Sequence, residues 1–243
     1  MKKLFLLTAG LFLLTTNVHA ARPLATADAG TVDVGAVEIE YGFEHAHAGD
    51  KEFNNSLAIT TGLLDNLDFA VEIPYQSLDS EDGDDESGMA DIKISTKLNI
   101  IKEKEAMPDL SILFSFKEES GAADKGIGTD EVEYGITGIL SKEFANIAVH
   151  LNLGSTIKHD AEDTFNYNFA VEYSLNEKTN LVGEITGDTV LSGKFNDNAT
   201  SAQLGMNHSI NDIISWDLGA AVGISKSEPD YKVTTGLTFA FGG

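Results

Sequence analysis

The sequence predicts an all-β fold: a transmembrane antiparallel up-and-down β-barrel of about twelve strands, with short periplasmic turns and longer extracellular loops. Three observations predict it. Apolar and polar residues alternate with period two from Val37 to the C-terminus, and the connections between the apolar rows alternate between short and long. Aromatic residues also recur near the ends of the rows. This combination is typical of outer-membrane barrels.

Residues 1–20 have the pattern of a cleaved secretory signal peptide. Lys2 and Lys3 precede a short apolar stretch, and Val18-His19-Ala20 provides small residues at the predicted cleavage site. We therefore expect export and location in the outer membrane of a Gram-negative bacterium. After residue 20 there is no run of eighteen apolar residues, which argues against a helical membrane protein.

Residues 21–31 precede the first alternating row and show little apolar periodicity. Arg22 and Asp28 are the candidate residues of a plug, because Arg22 would be attracted to carboxylates inside the barrel. Two arrangements remain open at this stage. The segment either folds back into the lumen and narrows it, or it forms a mobile periplasmic tail.

Residues 32–243 are predicted to form the barrel itself. In the first row, Val37, Ile39 and Tyr41 alternate with Glu38 and Glu40, as a half-buried strand requires. The later apolar rows contain no Asp, Glu, Lys or Arg. In a soluble β-sandwich these rows would form the core. In a barrel they face lipid, and the charged rows face a wet interior.

The connections favour the barrel over the sandwich. Residues 64–66, 142–146, 176–179 and 211–212 are tight, whereas residues 79–88, 119–128 and 191–199 are long and polar. Residues 102–108 are the one predicted periplasmic turn that is not tight. Aromatic residues near both ends of the rows predict two interfacial girdles.

The composition excludes several classes of function. The chain has 39 acidic and 16 basic residues and a formal charge of −23, which argues against binding to nucleic acid. It has no cysteine, so disulfides, thiolate catalysis and cysteine metal sites are excluded. His150 is predicted in the lumen without a recognisable nucleophile, and we expect no enzymatic activity.

The polar rows supply the candidate residues of the lumen. We expect Glu72 to pair with Lys93 and Lys117 to pair with Glu131, which would brace the wall. The surplus carboxylates would favour cations or neutral solutes. The candidate lumen and selectivity residues are Glu38, Glu40, Glu72, Lys93, Lys97, Lys117, Glu131, Glu133, His150, Glu172, Glu184 and Asp217.

The first long loop is strongly acidic and is a candidate Ca²⁺ site, since Ca²⁺ takes several carboxylate and carbonyl oxygens. It lacks the ligand order of an EF-hand. In the alternatives, the loop is only solvated, or divalent cations bridge it to anionic lipopolysaccharide. No other cofactor is expected. The candidate ligands are Asp79, Glu81, Asp82, Asp84, Asp85 and Glu86.

Several short motifs resemble one family of outer-membrane proteins, the MetA-pathway of phenol degradation family. They are residues 22–30, residues 62–68 leading to Ile73-Pro74-Tyr75, residues 88–92, residues 119–128 and the row containing Trp216. The resemblance implies a transporter barrel that passes small organic, including aromatic, compounds. The acidic residues 79–86 depart from the glycine-rich, mildly charged loops of that family.

These observations predict a porin-like outer-membrane channel for passive uptake of small organic or cationic solutes through an acidic lumen. Expected partners are outer-membrane lipid, lipopolysaccharide, the barrel-assembly machinery and a small-molecule solute. A structural or adhesive surface barrel with a filled interior is the first alternative. A soluble periplasmic β-sandwich is the second. Conductance separates the first two, and solubility without detergent would support the third.

Overall fold

A computed structural model of the chain describes residues 22–79, 85–119, 123–129, 131–159, 161–191 and 199–242. The predicted signal peptide lies outside the described residues. Among the described residues no helix is long and apolar enough to cross a bilayer. The strands are β1 (Val37–Ala48), β2 (Asp50–Leu64), β3 (Leu67–Asp79), β4 (Glu86–Met89), β5 (Lys93–Ile101), β6 (Asp109–Lys117), β7 (Glu133–Phe144), β8 (Ile147–Lys158), β9 (Thr164–Asn176), β10 (Thr179–Val190), β11 (Ala199–Ser209), β12 (Ile214–Gly223) and β13 (Tyr231–Phe241). A 3₁₀ turn, Ala123–Lys125, lies between β6 and β7.

The strands form one closed antiparallel sheet. Each strand from β5 to β13 pairs with the next, β13 pairs with β1, and β1, β2 and β3 pair in succession. β3 closes the ring by pairing with β5 through Leu67–Glu72, and its other end pairs with β4. The wall therefore has twelve strand positions, as the alternating rows predict, and one short extra strand, β4, which they do not predict.

The break between β4 and β5 has a local cause. Met89 lies opposite Tyr75 and Lys93 lies opposite Glu72, so the three residues 90–92 face only Ile73 and Pro74. Pro74 has no N–H to give to the ladder, and the pairing is interrupted there. The Ala90 N–H donates to the Pro74 carbonyl at 3.0 Å, which keeps both short strands against β3.

Burial is inverted relative to a soluble protein. On the outer surface Leu204 is 75% exposed and Phe169 is 47% exposed, whereas inside the barrel Asp217 is 1% and Asn99 is 3% exposed. Apolar rows that face outward around a closed sheet match lipid, and polar rows that face inward match a wet lumen. The β-sandwich alternative is wrong, because one sheet closes on itself.

The two ends of the barrel differ. The tight connections of β2–β3, β7–β8, β9–β10 and β11–β12 lie at one end, here called the tight-turn end, together with the start of β1 and the end of β13. The opposite end, called the loop end, carries the longer connections. One connection there is also tight: Gly49 alone joins β1 to β2, with a φ of 92° that glycine adopts without strain.

Candidate functional site

Residues 22–31 lie inside the barrel and follow its wall; we call them the lumenal strap. From Arg22 beside β12 and β13, the strap contacts side chains of β11, β10, β8, β7, β6 and β5 in turn. The N–H of Val32 then points to Asp68 on β3 at 3.4 Å. Val34 forms a bridge with Gly62 at the end of β2 before the chain enters β1. The strap thus makes one circuit of the inner wall.

The strap begins with a buried ion pair. The Arg22 Nε lies 3.5 Å from a carboxylate oxygen of Asp217, whose side chain is 1% exposed. Its Nη2 donates to the Thr234 hydroxyl at 2.6 Å and to the Thr235 carbonyl at 3.3 Å. Because a buried carboxylate is costly without a counter-charge, Arg22 offsets the cost of placing Asp217 inside the wall.

Glu184, in the middle of β10, holds the next part of the strap. Its carboxylate accepts hydrogen bonds from the Ala25 N–H at 2.9 Å, the Thr26 N–H at 2.9 Å and the Thr26 hydroxyl at 2.7 Å. Hydrogen bonds to an ionised group are stronger than those between neutral groups. Glu184 is 6% exposed, so its charge is held almost entirely by the strap.

Neutral side chains of the wall bind the strap backbone on either side of Glu184. The Gln203 amide donates to the Pro23 carbonyl at 2.5 Å, and the Asn207 amide donates to the Arg22 carbonyl at 3.3 Å. With its amide oriented to match, Asn152 accepts from the Ala27 N–H at 2.7 Å and donates to the Ala27 carbonyl at 2.9 Å. These contacts satisfy backbone groups that would otherwise be unpaired inside the barrel.

Ala29 is fully buried, and three wall side chains bind it. Its N–H donates to the Ser141 hydroxyl at 2.8 Å, and its carbonyl accepts from the Ser111 hydroxyl at 2.5 Å and the Asn99 amide at 3.0 Å. The Lys97 ammonium donates to the neighbouring Asp28 carbonyl at 3.2 Å. The Asp28 carboxylate accepts from the Gly30 N–H at 2.6 Å, which forms a local turn within the strap.

His150 lies beneath this part of the strap. Its Nδ1 is 2.8 Å from the Ser141 hydroxyl, and its Nε2 is 3.4 Å from a carboxylate oxygen of Glu172. A serine, a histidine and a carboxylate in line are the parts of a nucleophilic site. Here the Ser141 oxygen already accepts from Ala29 and is covered by it. The arrangement therefore positions the strap, and the Ser141 hydroxyl is engaged by Ala29 on one side and by His150 on the other.

Ion pairs along the wall follow the strand register. Glu72 lies opposite Lys93, with their charged atoms 4.0 Å apart. Lys117 lies opposite Glu133 at 2.8 Å, and also 3.2 Å from Asp91. The sequence predicted Glu131 as the cross-strand partner of Lys117, and this prediction is wrong. β7 begins at Glu133, and Glu131 precedes the strand.

A small acidic pocket lies between the strap and the tight-turn end. Its volume is about 90 Å³, and its lining includes the carboxyl groups of Asp28, Glu38, Glu40 and Asp68. Lys97 is the one basic residue of this lining. Four carboxyl groups and one ammonium therefore face this small space.

A larger cavity lies on the other side of the strap, toward the loop end. Its volume is about 360 Å³, and the strap residues Ala25 and Ala27 form part of its floor. Amide and hydroxyl side chains from β6 to β10 make up most of its polar wall. Its charged lining residues are Lys93, Asp188 and Glu228.

The acidic loop between β3 and β4 is described only in part. Glu81, Asp82 and Asp84 lie outside the described residues. Asp79 pairs with Lys51 at 3.6 Å, and Glu86 pairs with Lys125 at 3.5 Å. Asp85 is exposed. Within the described part of the chain no cluster of His, Asp and Glu has the geometry of a metal site.

Sequence reasoning missed the neutral residues that hold the strap. Asn99, Ser111, Ser141, Asn152 and Gln203 sit in inward rows, where their side chains reach the strap backbone. Small polar residues fill the inward rows of most barrels, so they carry no local signal of a backbone partner. Their shared feature is position: they bind one continuous segment from successive strands.

Comparisons with known proteins agree with this architecture. A family model described as "Putative MetA-pathway of phenol degradation" matches residues 20–241. A search of curated proteins finds no match. Among solved structures, the COG4313 outer membrane channel from Pseudomonas putida F1 is 14% identical, with a TM-score of 0.70 over 88% of this chain and 98% of that chain. The KdgM porin is 10% identical, with a TM-score of 0.61 over 84% and 99%. The NanC porin is also 10% identical, with a TM-score of 0.56 over 84% and 98%.

Proposed function

The chain belongs to the MetA-pathway of phenol degradation family, and we propose that it is a passive outer-membrane channel for small solutes. In this proposal residues 1–20 are a cleaved signal peptide, and the barrel contacts lipid and lipopolysaccharide after insertion by the barrel-assembly machinery. The lumenal strap narrows the pathway. The observation that carries the proposal is the inverted burial: a closed wall with polar side chains and cavities inside.

The acidic pocket supports a preference for cations or neutral solutes over anions. A solute that passes the strap at the tight-turn end meets Asp28, Glu38, Glu40 and Asp68, with Lys97 as the basic residue. In a narrow passage with walls of low dielectric constant, fixed charges of one sign exclude ions of the same sign. An anionic solute would need a different balance of charges at this point.

Reversal potentials in planar bilayers test the proposal. The mature chain is refolded and placed between unequal KCl solutions; we expect discrete openings and a potential of the sign that cation selectivity gives. The double variant Glu38→Gln with Glu40→Gln lowers the ratio of cation to anion permeability. The matched control, Glu105→Gln, removes an exposed carboxylate from the β5–β6 turn and leaves the ratio unchanged. Anion selectivity of the unaltered protein contradicts this account of the lumen.

A second candidate function is a structural or adhesive surface barrel with a filled interior. The observation that favours it is the strap, which is hydrogen-bonded to the wall along its length. The two candidates differ in one result. A folded protein that stays silent in bilayers, both with the strap and without it, supports the structural barrel and contradicts the channel.

A further inference from the structure

The cavity at the loop end has the lining of a solute site. We propose that it binds small, uncharged, polyhydroxylated solutes of about the size of a monosaccharide. This inference rests on the proposed channel function and names the class of solute that the channel takes up. It differs from the aromatic class that the family resemblance implies.

The first argument is the chemistry of the lining. Seven of the fifteen lining residues carry a neutral amide or hydroxyl group, and the described lining contains no aromatic residue. Aromatic solutes are usually held by stacking and by apolar surface. The described lining offers no ring for stacking, and its apolar side chains are Ala25, Ala27 and Leu113. The polar residues of the lining include Thr137, Asn152, Thr156, Asn166, Asn168 and Thr186.

The second argument is their arrangement. Asn168 lies opposite Asn152 on β8 and opposite Thr186 on β10, so one row across three strands consists of amides and a hydroxyl. One step toward the loop end, the Thr156 hydroxyl donates to the Asn166 carbonyl oxygen at 3.1 Å, which leaves the Asn166 NH₂ group to donate elsewhere. Amides and hydroxyls offer donors and acceptors side by side, as do the hydroxyl groups of a sugar ring.

Asn168 is central to this row. Within the described part of the chain its side chain has no hydrogen bond, although it is only partly exposed. A side-chain amide has two donors and a carbonyl acceptor, and solute hydroxyls can use both kinds of group. Asn152, by contrast, is already bound to Ala27 of the strap. Asn168 is therefore the residue whose loss should weaken solute binding most.

The third argument is charge. Lys93 is compensated by Glu72 at 4.0 Å, and Glu228 by Lys232 at 3.2 Å. This leaves Asp188 as the remaining charged residue of the lining, on the same face as the amides. A carboxylate-bearing sugar would be repelled by Asp188 here and by the carboxyl groups of the pocket beyond the strap. An uncharged sugar would not be repelled at either place.

The volume agrees with a small solute. At about 360 Å³ the cavity is near the lower end of the range of roughly 300–1,000 Å³ that is usual for ligand pockets. A polar lining without large apolar surfaces gives weak binding. Weak binding suits a channel, because a solute must leave the site as readily as it enters.

Saturation-transfer NMR on the refolded full mature chain in detergent micelles tests the inference without requiring any current. The probes are D-glucose and D-glucuronate, each at equal concentration, with phenol as competitor. We expect transfer to glucose, less to glucuronate, and no displacement of glucose by phenol. Asn168→Leu, which keeps the side-chain size, weakens glucose binding about three- to tenfold. The matched control is Asn55→Leu. In the unaltered chain the Asn55 amide oxygen accepts from the Tyr41 hydroxyl on the outer surface, away from the cavity.

The outcomes separate this inference from the proposed function. Absence of transfer to glucose, displacement by phenol, or equal glucose binding by Asn168→Leu and the unaltered chain overturns the inference. If the protein then still forms cation-selective openings, the channel function stands and only the class of solute is wrong. If glucose binds but no variant conducts, the cavity is a solute site in a barrel that is not a channel.

Discussion

The carboxylate of Glu184 on β10 accepts hydrogen bonds from both the N–H and the hydroxyl of Thr26, at 2.9 and 2.7 Å, within the lumen of the barrel. This contact ties a segment that precedes the first strand to the far wall of the barrel. Glu184 is 6% exposed and Thr26 is 1% exposed. Water therefore replaces this contact only if the strap moves.

Replacement of Glu184 should release the middle of the strap. Glu184→Ala leaves the N–H groups of Ala25 and Thr26 without their acceptor, and each hydrogen bond to a charged group contributes roughly 1.5–3 kcal/mol. We expect mean conductance in planar bilayers to rise several-fold. The control Glu72→Ala also removes a lumenal carboxylate but does not touch the strap. Equal changes in the two variants would show that charge, and not the strap, controls the current.

Loss of Arg22 should destabilise the barrel through Asp217. Arg22→Met leaves a carboxylate that is 1% exposed without its cation. Because the lumen is partly wet, we expect the free energy of unfolding to fall by about 1–3 kcal/mol, which is less than for a fully buried pair. The change in free energy is measured by urea unfolding in lipid vesicles, with the heat-dependent shift in gel migration as the readout of folded protein. Adding Asp217→Asn to Arg22→Met should restore at least part of the loss. Strictly additive losses would mean that the two residues do not interact.

Labels on an outward and an inward position of the wall should report opposite environments. The chain has no cysteine, so single cysteines can be placed freely. A fluorophore on Leu218→Cys, a position 40% exposed on the outer surface, should be quenched by nitroxide lipids. The free thiol of Thr137→Cys, which lines the larger cavity, should react with water-soluble thiol reagents, and a fluorophore attached there should escape lipid quenching. A Leu218 label that lipids do not quench would contradict the outward orientation of the apolar rows.

The pair between Glu103, in the β5–β6 turn, and Lys142, near the end of β7, should give a small pH-dependent contribution to stability. The Lys142 ammonium donates to Glu103 at 2.5 Å and holds the pKa of that carboxyl below its usual range. The stabilisation is therefore present above the usual carboxyl pKa and is lost as the pH falls through the lowered pKa of Glu103. At neutral pH, Lys142→Met should cost roughly 0.2–1 kcal/mol, as is usual for exposed pairs.

Urea unfolding at several pH values measures this effect. The difference between the unaltered protein and Lys142→Met should stay constant at neutral pH and vanish in acid. The control is Lys178→Met in the exposed β9–β10 turn. A difference that grows as the pH falls would reverse the predicted sign and contradict the assignment to Glu103.

The architecture was predictable because it repeats. Period-two alternation recurs in each of about twelve rows, so the number of strands and the outward direction of the apolar rows follow from the sequence. Both predictions are confirmed. The family resemblance is confirmed as well. A pairing across a long loop has no such repetition: the position of Glu133 opposite Lys117 depends on where β7 begins, and the sequence analysis misplaced it by two residues.

The strap illustrates what the sequence leaves open. Arg22 suggested an attraction to lumenal carboxylates, but the sequence does not indicate which carboxylate is near, since Asp217 is 195 residues away along the chain. Most of the other contacts are formed by backbone groups of the strap, including those of Ala25, Ala27 and Ala29, and a backbone group has no sequence signature. The division of the lumen into two cavities on the two sides of the strap follows from this placement, and the sequence does not indicate it.

Single-channel conductance with and without the strap tests the account most directly. The mature chain is compared with a variant in which residues 22–31 are replaced by a glycine-serine segment of equal length, and heat-modifiable gel migration confirms that both barrels are folded. The account predicts cation-selective openings in both proteins and a several-fold larger conductance without the native strap. Equal conductance in two folded barrels would contradict the claim that the strap narrows a channel.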